Sequence, residues 1–297
     1  MGDPSEKERQ EMRSRRFAIL AAALLLLMMM PIGASAQDDS TTFINGKWSE
    51  LYVTSGVRLR QCHFTEKSLF GANEFVSVLI VAPRKRIAVA ESAPGTLEKT
   101  SEIAAKQKAV AAVNGSFFRM KAPYGPTTYV RIDGKFSGID NEGSSRKRDQ
   151  FESGCLAITG RKAVVAKALS KELDWEDGIE AEDILSSGPL LISGGVPEVF
   201  KDVKFNTNRH PRTAVGILPD GSKVFVVVDG RSSKSQGVTI GEMQKIMMWL
   251  GCTDALNLDG GGSSTMVVRG KIVNHPCDNK AFDSEGERSV ANAIIIK

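Results

Sequence analysis

Asn257-Leu258-Asp259-Gly260-Gly261-Gly262-Ser263-Ser264-Thr265 sets one carboxylate, three consecutive glycines and a row of hydroxyls directly after a strand-like run, Ala255–Leu258. Consecutive glycines weaken strands and helices alike. A fold keeps them where the backbone must bend sharply or approach another group closely. A loop of this kind after a strand can aim its peptide N–H groups at an anion while the carboxylate stands beside it. A tight turn capped by an aspartate satisfies the same residues, so the weight falls on the rest of the chain.

Outward from this loop, short strands alternate with turn residues. Arg212–Leu218 and Lys223–Val228 flank Pro219-Asp220-Gly221 and predict a hairpin. Leu156–Thr159 and Ala163–Val165 flank Gly160 in the same way, and Thr127–Ile132 runs into Asp133-Gly134. Phe75–Val81 and Ala109–Val113 read as buried strands, with a short helix over Ser101–Lys108 between them. Thr239-Ile240-Gly241-Glu242 fits a capping box ahead of the apolar run Ile246–Leu250, with Gly251 closing that helix, so Glu242 has a structural explanation. Met266–Val268 and Ala291–Ile296 supply closing strands. The expected class is α+β (mixed α/β), a β-rich core of short strands and hairpins with a few helices packed on it.

The N-terminus reads as an export signal. Arg13, Arg15 and Arg16 precede an apolar run from Phe17 to Met30, and Ala34-Ser35-Ala36 offers small residues for cleavage. The run is short for a membrane span and ends in Pro31 and Gly33, so no stable membrane anchor is expected after cleavage. This divides the chain into a signal peptide at 1–36, an extension of unclear role at 37–70, and a main domain at 71–297. The expected location is periplasmic or secreted. Cys62, Cys155, Cys252 and Cys277 allow disulfides in that setting, with three pairings open. Gly138–Gln150, with its basic Arg146-Lys147-Arg148, suits a solvated loop or a lid over a site.

Composition removes several function classes. The formal net charge of +4 is nearly balanced, and there is no long basic run, so nucleic acid is not an expected partner. His63, His210 and His275 are scattered, and no cysteine pair has C-x-x-C spacing, so no metal site or triad is indicated. A calcium ion on Asp229, Asp259 and backbone carbonyls finds no EF-hand-like spacing, so no cofactor is expected.

Several polar motifs at strand ends and in loops follow in a fixed order. They are Asn114-Gly115-Ser116-Phe117-Phe118, Ser187-Gly188-Pro189, Arg212-Thr213-Ala214-Val215-Gly216, Val228-Asp229-Gly230-Arg231, the glycine loop, and Glu287-Arg288 followed by Ala291-Asn292-Ala293-Ile294. Together they resemble the phosphodiester glycosidase family over roughly Ala109 to Lys297. The chain departs from that pattern at Ser116, often a second glycine there, and at Cys277, often a serine.

The resemblance implies hydrolysis of the bond between an anomeric carbon and a phosphodiester oxygen. The implied partner is a sugar-1-phosphodiester, N-acetylglucosamine-linked, within an extracytoplasmic glycan. Such a reaction needs charge neutralisation at the phosphate, which Arg212 and Arg288 suit as planar forks of donors. The amides of Gly260, Gly261 and Gly262 and the hydroxyls of Ser263 and Ser264 complete the cradle, with Asn114, Ser187, Gly188 and Thr213 as further binding candidates. An oxocarbenium-like transition state needs a carboxylate nearby, and Asp259 is the first choice, with Glu287 or Asp229 as its partner. Two alternatives stay open: a binding protein without turnover, and a P–O cleaving phosphodiesterase, which usually needs two metals.

Overall fold

The computed structural model describes residues 38–137, 149–169 and 175–297. The leader at 1–36 and the basic segment Arg146-Lys147-Arg148 lie outside the described residues. Among the described residues, three larger antiparallel sheets, two two-stranded ones and a few short helices make up the fold, in agreement with the α+β expectation.

The largest sheet has eight strands in the order Ser49–Thr54, Val57–Leu69, Ala72–Val81, Lys223–Val228, Arg212–Ile217, Asp254–Asn257, Leu190–Ser193 and Val196–Pro197. A second sheet orders Lys135–Phe136, Val130–Ile132, Asp183–Ser187, Gly154–Thr159 and Lys162–Lys167. The third orders Lys271–Ile272, Met266–Val268, Ala111–Asn114, Asn292–Ile296 and Ile87–Glu91.

The central core lies where the three sheets meet. Leu79, Phe225 and Leu256 of the large sheet share one apolar cluster with Leu156 and Leu185 of the second and Val113, Met266 and Ile294 of the third. Lys223–Val228 shows why its sequence is apolar almost throughout. Successive side chains alternate faces, so Phe225 and Val227 enter this core while Val224, Val226 and Val228 face the other side. That other face is covered by the helices Asp39–Ile44 and Ile240–Trp249, through Phe43, Ile240, Met243, Ile246 and Met247.

The second of these helices starts as its sequence predicts. Thr239 Oγ1 accepts from Glu242 N at 3.1 Å, and Glu242 Oε2 accepts from Thr239 N at 2.9 Å. Gly251 follows the helix with φ +83°. Glu242 also pairs with Arg209 at 2.6 Å, and Arg209 in turn reaches the fully buried Glu74 at 3.2 Å.

Residues 38–69 are continuous with the large sheet. Val57–Leu69 pairs with Ala72–Val81 from Val57 opposite Val81 to Leu69 opposite Ala72, and Ser49–Thr54 adds the edge strand. The sequence leaves 37–70 an extension of unclear role, because it carries none of the motifs of the resemblance. All four cysteines are buried, and no disulfide joins them. Among the described residues no helix is long and apolar enough to cross a membrane.

Candidate active site

Three adjacent strands of the large sheet deliver the site from one end. Lys223–Val228 ends in Asp229, Asp254–Asn257 runs on into Leu258-Asp259, and Arg212–Ile217 starts between them. The glycine loop closes back onto that middle strand: Leu258 N donates to Thr213 O at 2.8 Å and Gly261 N donates to Pro211 O at 2.9 Å. Ala111–Asn114 of the third sheet ends alongside, where Asp259 N donates to Gly115 O at 3.0 Å.

Asn114 ties these pieces together. Its Nδ2 donates to Asp259 O at 2.7 Å, while its Oδ1 accepts from Thr213 Oγ1 at 2.8 Å and from Thr265 N at 3.2 Å. Thr213 therefore orients Asn114. Gly188 O accepts from Asn257 Nδ2 at 2.8 Å. A Cβ at position 188 would lie 2.0 Å from Gln150 O, so only glycine lets the Gln150–Glu152 turn approach this strand end.

Each of the three glycines in the loop lies against an arginine. A Cβ at Gly260 would stand 3.8 Å from Arg212 Cδ, one at Gly261 2.9 Å from Arg231 Nη2, and one at Gly262 2.5 Å from Arg288 Nη2. Gly261 also holds φ +64°, which side chains other than glycine adopt at a cost. The hydroxyls of Ser187, Ser264 and Thr265 and the Oδ1 of Asn257 are buried there without a hydrogen-bond partner among the described residues. Native interiors rarely leave such groups unpaired, and their concentration on one loop and its neighbours marks a binding site.

The three arginines differ in what already holds them. Arg212 is 2% exposed, and its guanidinium donates to the carbonyls of Phe205, Asn208 and Val238 and lies over the Phe205 ring. Burial, with Arg231 nearby, pushes its pKa down to about 10. Arg288 is forked onto Asp278, with Nη2 at 2.5 Å and Nε at 3.1 Å. Arg231 is exposed, and its Nη1 points at Cys277 Sγ at 3.7 Å. Arg231 stands in the motif that sequence reading quoted, although it was not among the binding candidates.

Asp259 is half-buried and lines a cavity of about 520 Å³. Burial pushes its carboxyl up to about 6, against the favourable pull of Ser263, Gly260 N and Arg288 on the charged form. Gly260 N donates to its Oδ1 at 2.8 Å. Phe117, Phe151 and Phe205 form the apolar wall of the cavity, with ring centroids 4.8 to 6.2 Å apart in edge-on contacts. Thr127, Thr128, Asp149 and Glu152 are its polar lining, and the Thr128 hydroxyl is another buried group without a partner among the described residues. Glu152 is 4% exposed and accepts from Tyr129 N at 3.1 Å.

The other two carboxylate candidates are engaged by protein groups. Glu287 accepts from Ser101 N at 2.8 Å and from Ser101 Oγ at 2.6 Å, at the start of the helix Thr100–Lys106. Burial raises its pKa against the pull of Ser101. Asp229 is occupied by Asn274 Nδ2 at 2.8 Å and by the backbone N and ring Nδ1 of His275 at 3.0 and 2.7 Å. The further carboxylates at the cavity are the exposed Asp149 and the buried Glu152, which sequence reading missed. Their one signal is Asp149-Gln150-Phe151-Glu152, an aspartate able to cap a turn, and Asp149 Oδ1 does accept from Phe151 N at 2.7 Å. Among the described residues no three His, Cys, Asp or Glu side chains gather as a metal site.

The chain matches a family model described as phosphodiester glycosidase over residues 107–297. It is 32% identical over 148 residues to the SPbeta prophage-derived uncharacterized protein YomE of Bacillus subtilis, covering 49% of this chain and 21% of that protein. It is 38% identical over 68 residues to the N-acetylglucosamine-1-phosphodiester alpha-N-acetylglucosaminidase of Bos taurus, covering 23% of this chain and 13% of that protein. The matches thus span no more than 21% of these relatives' lengths. Among solved structures, the zebrafish N-acetylglucosamine-1-phosphodiester alpha-N-acetylglucosaminidase catalytic domain, auto-inhibited by its pro-peptide, superposes with a TM-score of 0.62 at 20% identity, covering 84% of this chain and 87% of that chain. A putative exported protein of Burkholderia pseudomallei superposes with a TM-score of 0.53 at 19% identity, covering 76% of this chain and 74% of that chain. At these identities the structural likeness is one of fold, while the family match extends from Gln107, before the Asn114 strand, through the glycine loop to Lys297. By that match the chain belongs to the phosphodiester glycosidase family.

Proposed function

We propose that this chain is an exported glycosidase that hydrolyses the sugar C–O bond of a sugar-1-phosphodiester in an extracytoplasmic glycan. The observation that carries this reading is the position of Asp259, at the junction of an aromatic-walled cavity and a glycine loop faced by arginines. A cavity of about 520 Å³ falls within the size range of small-molecule sites. The sugar occupies that cavity, with its apolar face on Phe117, Phe151 and Phe205. The phosphodiester lies against the glycine loop, where Arg231 and Arg288 offset the charge that builds on the leaving group.

Asp259 then serves the anomeric carbon, as nucleophile or as base for water, and in either role it must be ionised. Glu152, on the same cavity, is the carboxylate placed to work with it. N-acetylglucosamine is the first sugar to test, because the names of the bovine and zebrafish relatives specify it. The apolar leader carries the chain out of the cytoplasm on this reading.

The deciding experiment supplies purified protein with an N-acetylglucosamine-1-phosphodiester in ¹⁸O-labelled water, followed by mass spectrometry of both products. Label on the anomeric oxygen supports a glycosidase. Label in the phosphate means P–O cleavage and overturns this reading, and binding without turnover leaves a ligand-binding protein.

A further inference from the structure

One group at the same sheet end takes no part in the steps above. Asp229 is 1% exposed, and both its oxygens are committed, Oδ1 to Asn274 Nδ2 and Oδ2 to the backbone N and ring Nδ1 of His275. The imidazole is clamped as well. Phe282 stacks on it at 3.8 Å between centroids, and it meets Phe75 at 4.7 Å with the rings nearly perpendicular. A carboxylate beside Nδ1 fixes that nitrogen as the N–H, which leaves Nε2 as the position that gains and loses a proton. Nε2 has no protein partner among the described residues, and the side chain is 25% exposed.

The residues on either side of this imidazole reach the glycine loop and its arginine. The strands ending in Asp229 and Asp259 are separated in the large sheet by one strand, which places their backbones about 10 Å apart. Asn274, next to His275, also donates to Ser264 O at 3.0 Å. Arg231, two residues past Asp229, lies against both Gly261 and Cys277. His275 thus stands on the Arg231 side of the loop, where the function proposed above puts the phosphate.

The chemistry of the departing group matches an imidazole. C–O cleavage turns a phosphodiester carrying one charge into a monoester whose second pKa is about 6. Imidazole is the side chain that changes charge between about pH 5 and 8. We infer that His275, oriented by Asp229, is the proton donor to the departing phosphate oxygen, an inference that rests on the glycosidase reading. The C1–O bond breaks with its electron pair going to that oxygen, and the Nε2 proton moves onto it. The oxygen of water ends on C1, and its proton leaves through the Asp259 carboxylate. Solvent then reprotonates His275 and takes the proton from Asp259. The charged and titratable groups around the ring are Asp229 and Asp283, with Lys234 and His63 against the Phe282 ring and Arg231 on the loop side.

The test compares kcat and KM across pH for the wild type, His275→Gln and Asp229→Asn on an N-acetylglucosamine-1-phosphodiester. The donor must be protonated, so wild-type kcat should fall on the alkaline side. His275→Gln should lower kcat about 100-fold and flatten that alkaline limb, with KM changed less than about threefold. Asp229→Asn, which removes the negative partner, should move the limb to lower pH. A His275→Gln enzyme that keeps kcat and the limb, or loses only KM, overturns the donor role. Should that variant fail to fold, ¹⁵N correlation spectra of the wild type decide: a proton on Nδ1 in the neutral ring is expected, and a proton on Nε2 alone overturns the inference. Wild-type label appearing in phosphate overturns the glycosidase reading and the donor role together. Label in the sugar with an unaffected His275→Gln overturns the donor role alone.

Discussion

Asn114 Nδ2 donates to the carbonyl oxygen of Asp259 at 2.7 Å, so the residue that ends a strand of the third sheet holds the backbone of the candidate catalytic carboxylate. Because Asn114 Oδ1 also accepts from Thr213 Oγ1 and Thr265 N, a single side chain joins two sheets and both ends of the glycine loop. Asn114→Ala leaves three partners with nothing to pair with, and each lost partner of this kind costs about 1–3 kcal/mol before relaxation. We expect a loss of about 2–4 kcal/mol in total, read as a lower urea midpoint at an unchanged slope. A midpoint equal to that of the wild type would show that the loop holds its shape without Asn114.

Asp259 makes a prediction with a definite sign. Burial raises its carboxyl from 3.8 to about 6, so between those values the folded state keeps a proton that the unfolded chain has released. Stability therefore falls as pH rises through that window, and the whole cost is present above it. Asp259→Asn removes the cost. The variant should be about 1–3 kcal/mol more stable than the wild type at pH 7 and no more stable well below pH 4. Turnover should fall about 100-fold or more, and wild-type kcat/KM should rise as pH climbs through about 6. Urea curves at the two pH values check the first part. A variant less stable at both would mean that the carboxylate is held by favourable contacts.

Much of the fold was legible because its signals are local. Pro219-Asp220-Gly221 gave the turn between Arg212–Ile217 and Lys223–Val228, and the Thr239–Glu242 box gave the helix start. The glycine loop announced a site because three glycines in a row mark a sharp bend or a close approach, and three arginines do approach. Glu152, Phe151 and Phe205 were not legible. They reach the cavity from a turn and a short helix that meet Asp259 only as fellow lining of that cavity, and neither carries a periodic pattern. Glu287 shows the opposite case. Its place in a motif suggested chemistry, whereas its carboxylate meets the start of a helix 186 residues earlier in the chain. Spacing along a chain does not show which way a side chain turns.

The glycine loop itself can be probed at Gly262. A methyl group there would lie 2.3 Å from Asp278 Oδ1 and 2.5 Å from Arg288 Nη2, so the Asp278–Arg288 pair must shift to admit it. Both side chains are partly exposed and able to yield, which keeps the fold intact. Gly262→Ala should therefore raise KM about tenfold or more with a change in stability near 1 kcal/mol or less. A normal KM would mean that Arg288 is not used in binding. A large loss of stability would mean that the loop cannot yield.

Arg212 and Arg231 separate architecture from binding. The Arg212 guanidinium is buried among the carbonyls of Phe205, Asn208 and Val238, so Arg212→Met leaves those acceptors unpaired in an apolar setting. That change should cost about 2–4 kcal/mol of stability, measured by denaturant, and reduce activity mainly through the folded fraction. Arg231 is exposed, and among the described residues its one side-chain contact of this kind is with a cysteine sulfur. Arg231→Gln should leave stability within about 0.5 kcal/mol and raise KM for a phosphodiester about 10- to 100-fold, the worth of a charge-assisted contact to phosphate. The reverse pattern, with Arg212→Met stable but weak in binding and Arg231→Gln normal in KM, would move the phosphate from the exposed side of the loop to the Arg212 side. Gly261, whose open face lets Arg231 approach, would then have only its φ of +64° to explain it.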